Sequence, residues 1–368
     1  MTIQSEAKNQ SKIAKRITSK LTAKKLFASL FTLVIGLIIT IVLIQLQGYQ
    51  AIPTMIEGLK YSLGDPTQIA RTLAWGLPLC VASLGVALAF RSGMFNLGAE
   101  GQIYAGALAT AVAGIYIGPL FPGVHIAIVT LAGAAAGALI AAGLGWLRAV
   151  WGVDEVLSTL LSNYIVILFG AYLVTNQLRD PSRQSGTTRT VQDSSMFNEI
   201  MPKTGLTSAI YVVVALALAV WWLSERSVIG YRWRMTGESP SFAAAVGINV
   251  KSARISSMAV SGALAGIAGS LLVSASQGRY WTEIGSGIGW DAVLIALIGR
   301  ARILPTLGWV AIYTVMRSSA RGIEQVSAVP AELSLVLIAA IIVIAAARPG
   351  VFTQVDQLRQ RYFPRKGA

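Results

Sequence analysis

The sequence predicts an all-α fold: a polytopic integral membrane helical bundle of about ten transmembrane helices, with a possible internal repeat and broken helices. Composition is the first observation behind this. The 368 residues are 54% hydrophobic and 12% charged, against roughly 25% charged in an ordinary globular chain. The second is the recurrence of apolar runs near spanning length, since a crossing helix needs ~20 such residues. The third is the placement of charge. The formal net charge is +14, and the positives gather in segments flanking the apolar runs, as in cytoplasmic loops. A nucleic-acid surface would need a basic groove with interleaved aromatics, and none is present.

The runs fall at about Leu26–Leu46, Ile69–Phe90, Ile103–Gly118, Ile126–Leu147, Val156–Val174, Ile210–Leu223, Ile255–Ser274, Ala292–Ile298, Leu304–Met316 and Leu333–Ala347. The eighth is short enough to be a half-helix or a re-entrant segment. Ten crossings put both termini on the same side, and the charges agree. Residues 1–25 form a basic cytoplasmic arm with Lys8, Lys12, Lys15, Arg16, Lys20, Lys24 and Lys25. The run after it is of spanning length with no small-residue cleavage site close behind, so a retained first helix is expected. Residues 26–350 form the transmembrane domain, with a cytoplasmic loop at about 226–254, and 351–368 form a basic cytoplasmic tail. The loop Gln177–Ser208 is the exception. It carries Arg179, Arg183, Arg189 and Lys203 yet falls outside, and longer loops obey the charge rule poorly.

Several chemistries are excluded. A lone cysteine, Cys80, forms no intramolecular disulfide, and a lone His125, read as interfacial, has no second histidine to build a metal site. No GxxxxGK[ST] loop, HExxH, cysteine cluster or GxSxG is present. An integral membrane enzyme would want clustered catalytic groups, whereas the acids here are widely spread.

Small residues mark two helices as close neighbours of something. Gly133 and Gly137 stand four apart in "LAGAAAGALIAAGLG", as do Gly262 and Gly266 in "SGALAGIAG". Such faces let backbones approach in lipid.

Four stretches carry the chemistry. In "FNLGAEGQ", Phe95–Gln102, an acid and two glycines interrupt an apolar pattern. An ionised Glu at membrane depth costs at least ~2.5 kcal/mol, and broken backbone is tolerated there only within protein or beside a watery cavity. The stretch is therefore either a helix break beside a cavity or a cytoplasmic turn with Glu100 capping a helix that starts near Gly101. In "VDEVLSTLLSNYI", Glu155, Thr159 and Asn163 stand four apart on one helical face. That stripe either lines a polar path or bonds to a neighbouring helix. In "RMTGESPSFAAAVG", Ser239 and Pro240 suit a helix start and Gly247 a helix end. A short cytoplasmic helix there is either a docking element or a connector. In "SQGRYWTEIGSGIGWDAVLIALIGR", Asp291 opens the short run behind three glycines. This loosely echoes the first stretch, as internal repeats of transporters do.

Together these stretches resemble the membrane permease subunits of ABC importers, in the superfamily for branched-chain amino acids, ribose and nucleosides. "FNLGAEGQIYAGA" with "EVLSTLLSNYI", "GWDAVLIALIGR" and "VPAELSLVLIAAIIVIAAARP" look most like the nucleoside branch, which works with a lipoprotein of the basic membrane protein type. The resemblance covers roughly Tyr61–Gly350; Ala301–Ile303 and "YTVMRSSARG" depart from it. It implies a bacterial plasma-membrane permease domain with both termini cytoplasmic, no catalytic residue, and no cofactor or metal bound by this chain. ATP and Mg would sit on a separate cytoplasmic ABC ATPase. The other implied partners are a second, non-identical permease chain, an extracellular solute-binding lipoprotein and a nucleoside. The substrate path is expected at Phe95, Asn96, Glu100, Glu155, Thr159, Asn163, Trp290 and Asp291. ATPase coupling is expected at Arg234, Gly237, Glu238, Ser239, Ala243, Ala244 and Gly247. Ribose or another simple sugar, or a branched-chain amino acid, would use a similar bundle. An ion-coupled secondary transporter would share the spans and breaks but need no docking helix.

Overall fold

The computed structural model describes residues 50–182 and 186–326, with isolated positions between 38 and 48. The predicted basic arm, the tail and the run Leu333–Ala347 lie outside the described residues, as does most of Leu26–Leu46. Contacts divide the chain into two compact units. One is Leu59–Ser318; the other joins the residues up to Gly58 with those from Ser319 onward.

The described helices are α1 (Ala51–Leu63), α2 (Pro66–Arg91), α3 (Ala99–Tyr116), α4 (Pro122–Trp146), α5 (Glu155–Thr175), α6 (Ala209–Arg226), α7 (Val228–Glu238), α8 (Pro240–Ala245), α9 (Val250–Leu272), α10 (Ile288–Ile298) and α11 (Ile303–Val326). Two short strands, β1 (Glu199–Met201) and β2 (Leu206–Thr207), pair antiparallel. Every predicted run from Ile69 to Met316 lies in a helix, with Ile117 and Gly118 just past the end of α3. Helices α2, α5 and α6, and α4 and α9 with their π-helical extensions to Trp151 and Gln277, are long and apolar enough to cross a membrane. Helix α1 was not expected. Glu57 and Lys60 interrupt its apolar run, yet exposed Ile52, Ile56, Leu59 and Leu63 recur at helical spacing.

The helix starts follow from local chemistry. Asp65, Asp154, Ser227, Ser239 and Asn249 each accept a hydrogen bond from the amide three residues on, satisfying donors that the first turn leaves open. Helices α4 and α9 both run into a π-helical turn that ends at a left-handed glycine, Gly152 (φ 71°) and Gly278 (φ 65°). One order also occurs twice: a long helix, an irregular segment, then a helix with an acid in its first turn. It is α2, Ser92–Gly98 and α3, and again α9, Gly278–Gly287 and α10.

The core forms around α9. Its Gly262 and Gly266 meet Gly137 and Gly133 of α4, so the two GxxxG faces pack on each other. A Cβ on Gly137 would overlap the Gly262 carbonyl oxygen, and one on Gly266 the Gly133 carbonyl oxygen. Gly106 of α3 lies against Gly266 in the same way. Lipid is as apolar as leucine, so close van der Waals approach and hydrogen bonds hold such helices together. Thr110 supplies the bonds here: its hydroxyl reaches Val129 O (3.1 Å) and Ser270 Oγ (2.6 Å), tying α3 to α4 and α9.

The loop between α5 and α6 is folded. Val191 N donates to Gly278 O (2.8 Å), Thr188 N to Tyr280 O (3.0 Å) and Gln192 N to Gly114 O (3.0 Å). The loop thus runs across the ends of α3 and α9 and along the start of the Gly278–Gly287 segment. His125, read as interfacial, is buried, with Nδ1 2.8 Å from Ser194 Oγ of this loop.

Candidate functional site

Helices α3 and α10 begin inside the bundle. Helix α10 has 11 residues, which rise ~16 Å, about half the ~30 Å of a hydrocarbon core. A half-helix leaves its first amides without carbonyl partners. Glu100, in the first turn of α3, supplies them. Its Oε1 accepts from Gly287 N (3.0 Å) and its Oε2 from Gly289 N (2.6 Å). Glu100 thus caps α10, not its own helix. The glycines make this approach possible. A Cβ on Gly289 would overlap Glu100 N, and one on Gly285 would overlap the Tyr104 ring. The carboxylate also meets the positive end of the α10 dipole, which favours an anion by up to ~2 kcal/mol in partly buried geometry.

Asn96 closes the break before α3. Its Nδ2 donates to Gln102 Oε1 (2.8 Å) and Ser261 Oγ (2.9 Å), while its Oδ1 accepts from Gly98 N (3.1 Å) and Gln102 Nε2 (2.9 Å). Asn163 of α5 reaches the same break. Its Oδ1 accepts from Gly101 N (2.8 Å) and its Nδ2 donates to Leu97 O (2.8 Å). Thr159, buried on the same face, donates to Glu155 O (2.6 Å). Glu155 forms an ion pair with Arg148 Nε at 2.9 Å. Asp291, in the first turn of α10 and two residues past Gly289, meets the Tyr313 hydroxyl and lies close enough to Glu100 for the two charges to interact. Phe95 and Trp290 leave 45% and 43% of their surface exposed, which makes them the aromatic faces available at the two breaks.

A second cluster forms where α2, α6 and α7 end together. Glu225 pairs with Arg91 and with Arg234 Nη1 (3.3 Å). Gly237 packs on the backbone of Arg91–Gly93, where a Cβ on Gly93 would come within 3.2 Å of Gly237 Cα. The segment therefore rests on the chain just before the Asn96 break. Beyond it, Ser239 Oγ accepts from Phe242 N (3.4 Å) to start α8, and Gly247 (φ 84°) follows its end. Ala243 faces inward, while Glu238, Phe242, Ala244 and Val246 are exposed.

The match to known families decides what this architecture is. Residues 68–346 match the model of the branched-chain amino acid transport system / permease component family. This chain belongs to that family. The permease is 27% identical to a guanosine ABC transporter permease of Bacillus subtilis (strain 168), over 85% of this chain and 89% of that protein. It is 28% identical to a nucleoside ABC transporter permease of Lactococcus lactis subsp. cremoris (strain MG1363), over 78% and 81%. It is also 28% identical to a glucose ABC transporter permease of Haloferax volcanii, over 74% of each chain. No solved structure gives a significant match. The chain is thus a multi-pass membrane protein and a transport component of an ABC system.

In this permease the structure brings Asn96, Glu100, Thr159 and Asn163 to one place, with Glu155 one turn further along α5. Their polar atoms are spent on backbone and side chains of the bundle. Sequence reasoning missed Gln102 and Ser261 as the partners of Asn96. Gln102 stood in the quoted motif; Ser261 had no signal beyond its place in a small-residue face. The Glu225 pairs were missed too, although an acid between Arg91 and Arg234 in a basic end offered a clue.

Proposed function

We propose that this permease takes up nucleosides as the transmembrane subunit of an ATP-driven importer in a bacterial plasma membrane, with both termini cytoplasmic. The observation that carries this reading is the likeness to guanosine and nucleoside permeases over more than three quarters of both chains. The exposed Phe95 and Trp290 rings fit a solute that offers a stacking base.

ATP is hydrolysed on separate ATPase subunits, which dock on the α7–α8 segment at Arg234, Gly237, Glu238, Ser239, Ala243, Ala244 and Gly247. ATP and Mg stay on those subunits. A solute-binding lipoprotein delivers substrate at the opposite end, and a second, non-identical permease chain completes the path. Movement of α7 passes to the break before α3 through the Gly237–Gly93 contact and the Glu225 pairs. Substrate is released by alternating access, which requires different affinity in the two states.

The test is uptake of labelled guanosine, adenosine, uridine, ribose, glucose and leucine by cells with and without the chain. Loss of nucleoside uptake alone is expected. Loss confined to ribose, glucose or leucine would keep the importer and replace the substrate, as the glucose relative allows.

A further inference from the structure

One feature of the bundle is not needed by fold class alone: an acid on one half-helix closes the start of the other, from far away in sequence. We propose that Glu100 is a positioning residue for transport. By accepting the Gly287 and Gly289 amides it fixes the start of α10, and with it the exposed Trp290 ring, beside the break before α3.

Three observations support this. Glu100 is 5% exposed and spends both carboxylate oxygens on the start of α10, so it is neither a free charge nor the cap of its own helix. The turn it holds is strained. Ser286 and Gly287 stand in succession at φ 43° and 82°, and a non-glycine residue persists there only where its surroundings enforce it. Finally, the segment that leads into this turn is held at its other end. Thr188 N donates to Tyr280 O (3.0 Å), and Tyr280 N to Thr188 Oγ1 (3.1 Å). The Gly278–Gly287 segment is therefore gripped at one end by the α5–α6 loop and at the other by Glu100. Release of the carboxylate would loosen the α10 end, leaving it the contact of the Tyr104 hydroxyl with the Gly285 and Ser286 amides, while the loop end stays bound. Glutamine at position 100 does this without changing size. It keeps one acceptor and turns a donor toward the second amide.

This inference rests on the transport reading, so the experiment carries a readout that does not. In a Cys80→Ala background, Ser286→Cys places one thiol at the exposed side of the turn. The complete importer is purified in nanodiscs, and the rate of labelling by N-ethylmaleimide is measured with Glu100 and with Glu100→Gln. Guanosine uptake is measured in parallel in cells. Glu100→Gln is expected to label at least three-fold faster, and to cut maximal uptake at least ten-fold at unchanged membrane abundance. Should that variant fail to assemble, Glu100→Asp keeps the charge but draws the carboxylate back by one methylene, and the same two changes are expected. Unchanged labelling overturns the proposal even if uptake is lost, and so does uptake within two-fold of the parent. If the parent itself takes up no guanosine, the substrate reading fails, and the labelling rate alone decides the role of Glu100.

Discussion

Asn163 uses both ends of its amide on the break before α3, accepting from Gly101 N and donating to Leu97 O. Asn163→Ala leaves two backbone groups inside the bundle without that partner. At ~1–3 kcal/mol for each unsatisfied buried group, a loss of roughly 2 kcal/mol or more is expected. Thermal unfolding in detergent should show it as a lower midpoint. Ser162→Ala, whose hydroxyl bonds only Thr159 O within its own helix, should shift the midpoint far less. At this scale the sequence was half legible. The spacing of Glu155, Thr159 and Asn163 announced a shared face, and burial of all three follows that face. Which atoms they meet was not legible, because the partners of Asn163 lie more than 60 residues away and those of Glu100 more than 180. Local pattern carries no information about contacts that only the tertiary fold creates.

The helix pair α4–α9 gives the sharpest contrast among elements. Gly137→Ala puts a methyl into the Gly262 carbonyl, and overpacking of this kind costs ~1–3 kcal/mol. Gly143, on the same helix, has nothing within 4 Å of where a Cβ would stand. Gly143→Ala is expected to be neutral or to gain up to ~1 kcal/mol of helix propensity. Midpoints of thermal unfolding for the two variants should therefore move in different directions or by clearly different amounts. Both GxxxG faces were visible in the sequence, but not that they were each other's partner. The short eighth run was legible only as too short to span; its beginning at Ile288 is fixed by the Glu100 cap, a contact from another element. Helix α1 was not legible at all, because two charges break its apolar run while leaving a face intact.

Across the whole molecule, the sequence placed the short helix α8 well. Ser239, Pro240 and Gly247 bound a helix that the fold contains, because caps are local chemistry. Helix α7 before it, and the Arg91–Glu225–Arg234 cluster beneath it, needed the structure. On the proposed mechanism, Phe242 of α8, 54% exposed, faces the ATPase. Phe242→Asp is expected to lower ATP-driven uptake at least ten-fold and to weaken copurification of the ATPase, with the permease still present in the membrane. Retained copurification and uptake would move the docking site elsewhere. The central claim is ATP-driven nucleoside import, and the most direct measurement is guanosine accumulation by the complete importer in proteoliposomes. Accumulation is expected only with ATP on the ATPase side and binding protein on the other, and unchanged when ion gradients are collapsed. Guanosine uptake by this chain alone, without ATP and lost with the ion gradient, would contradict it.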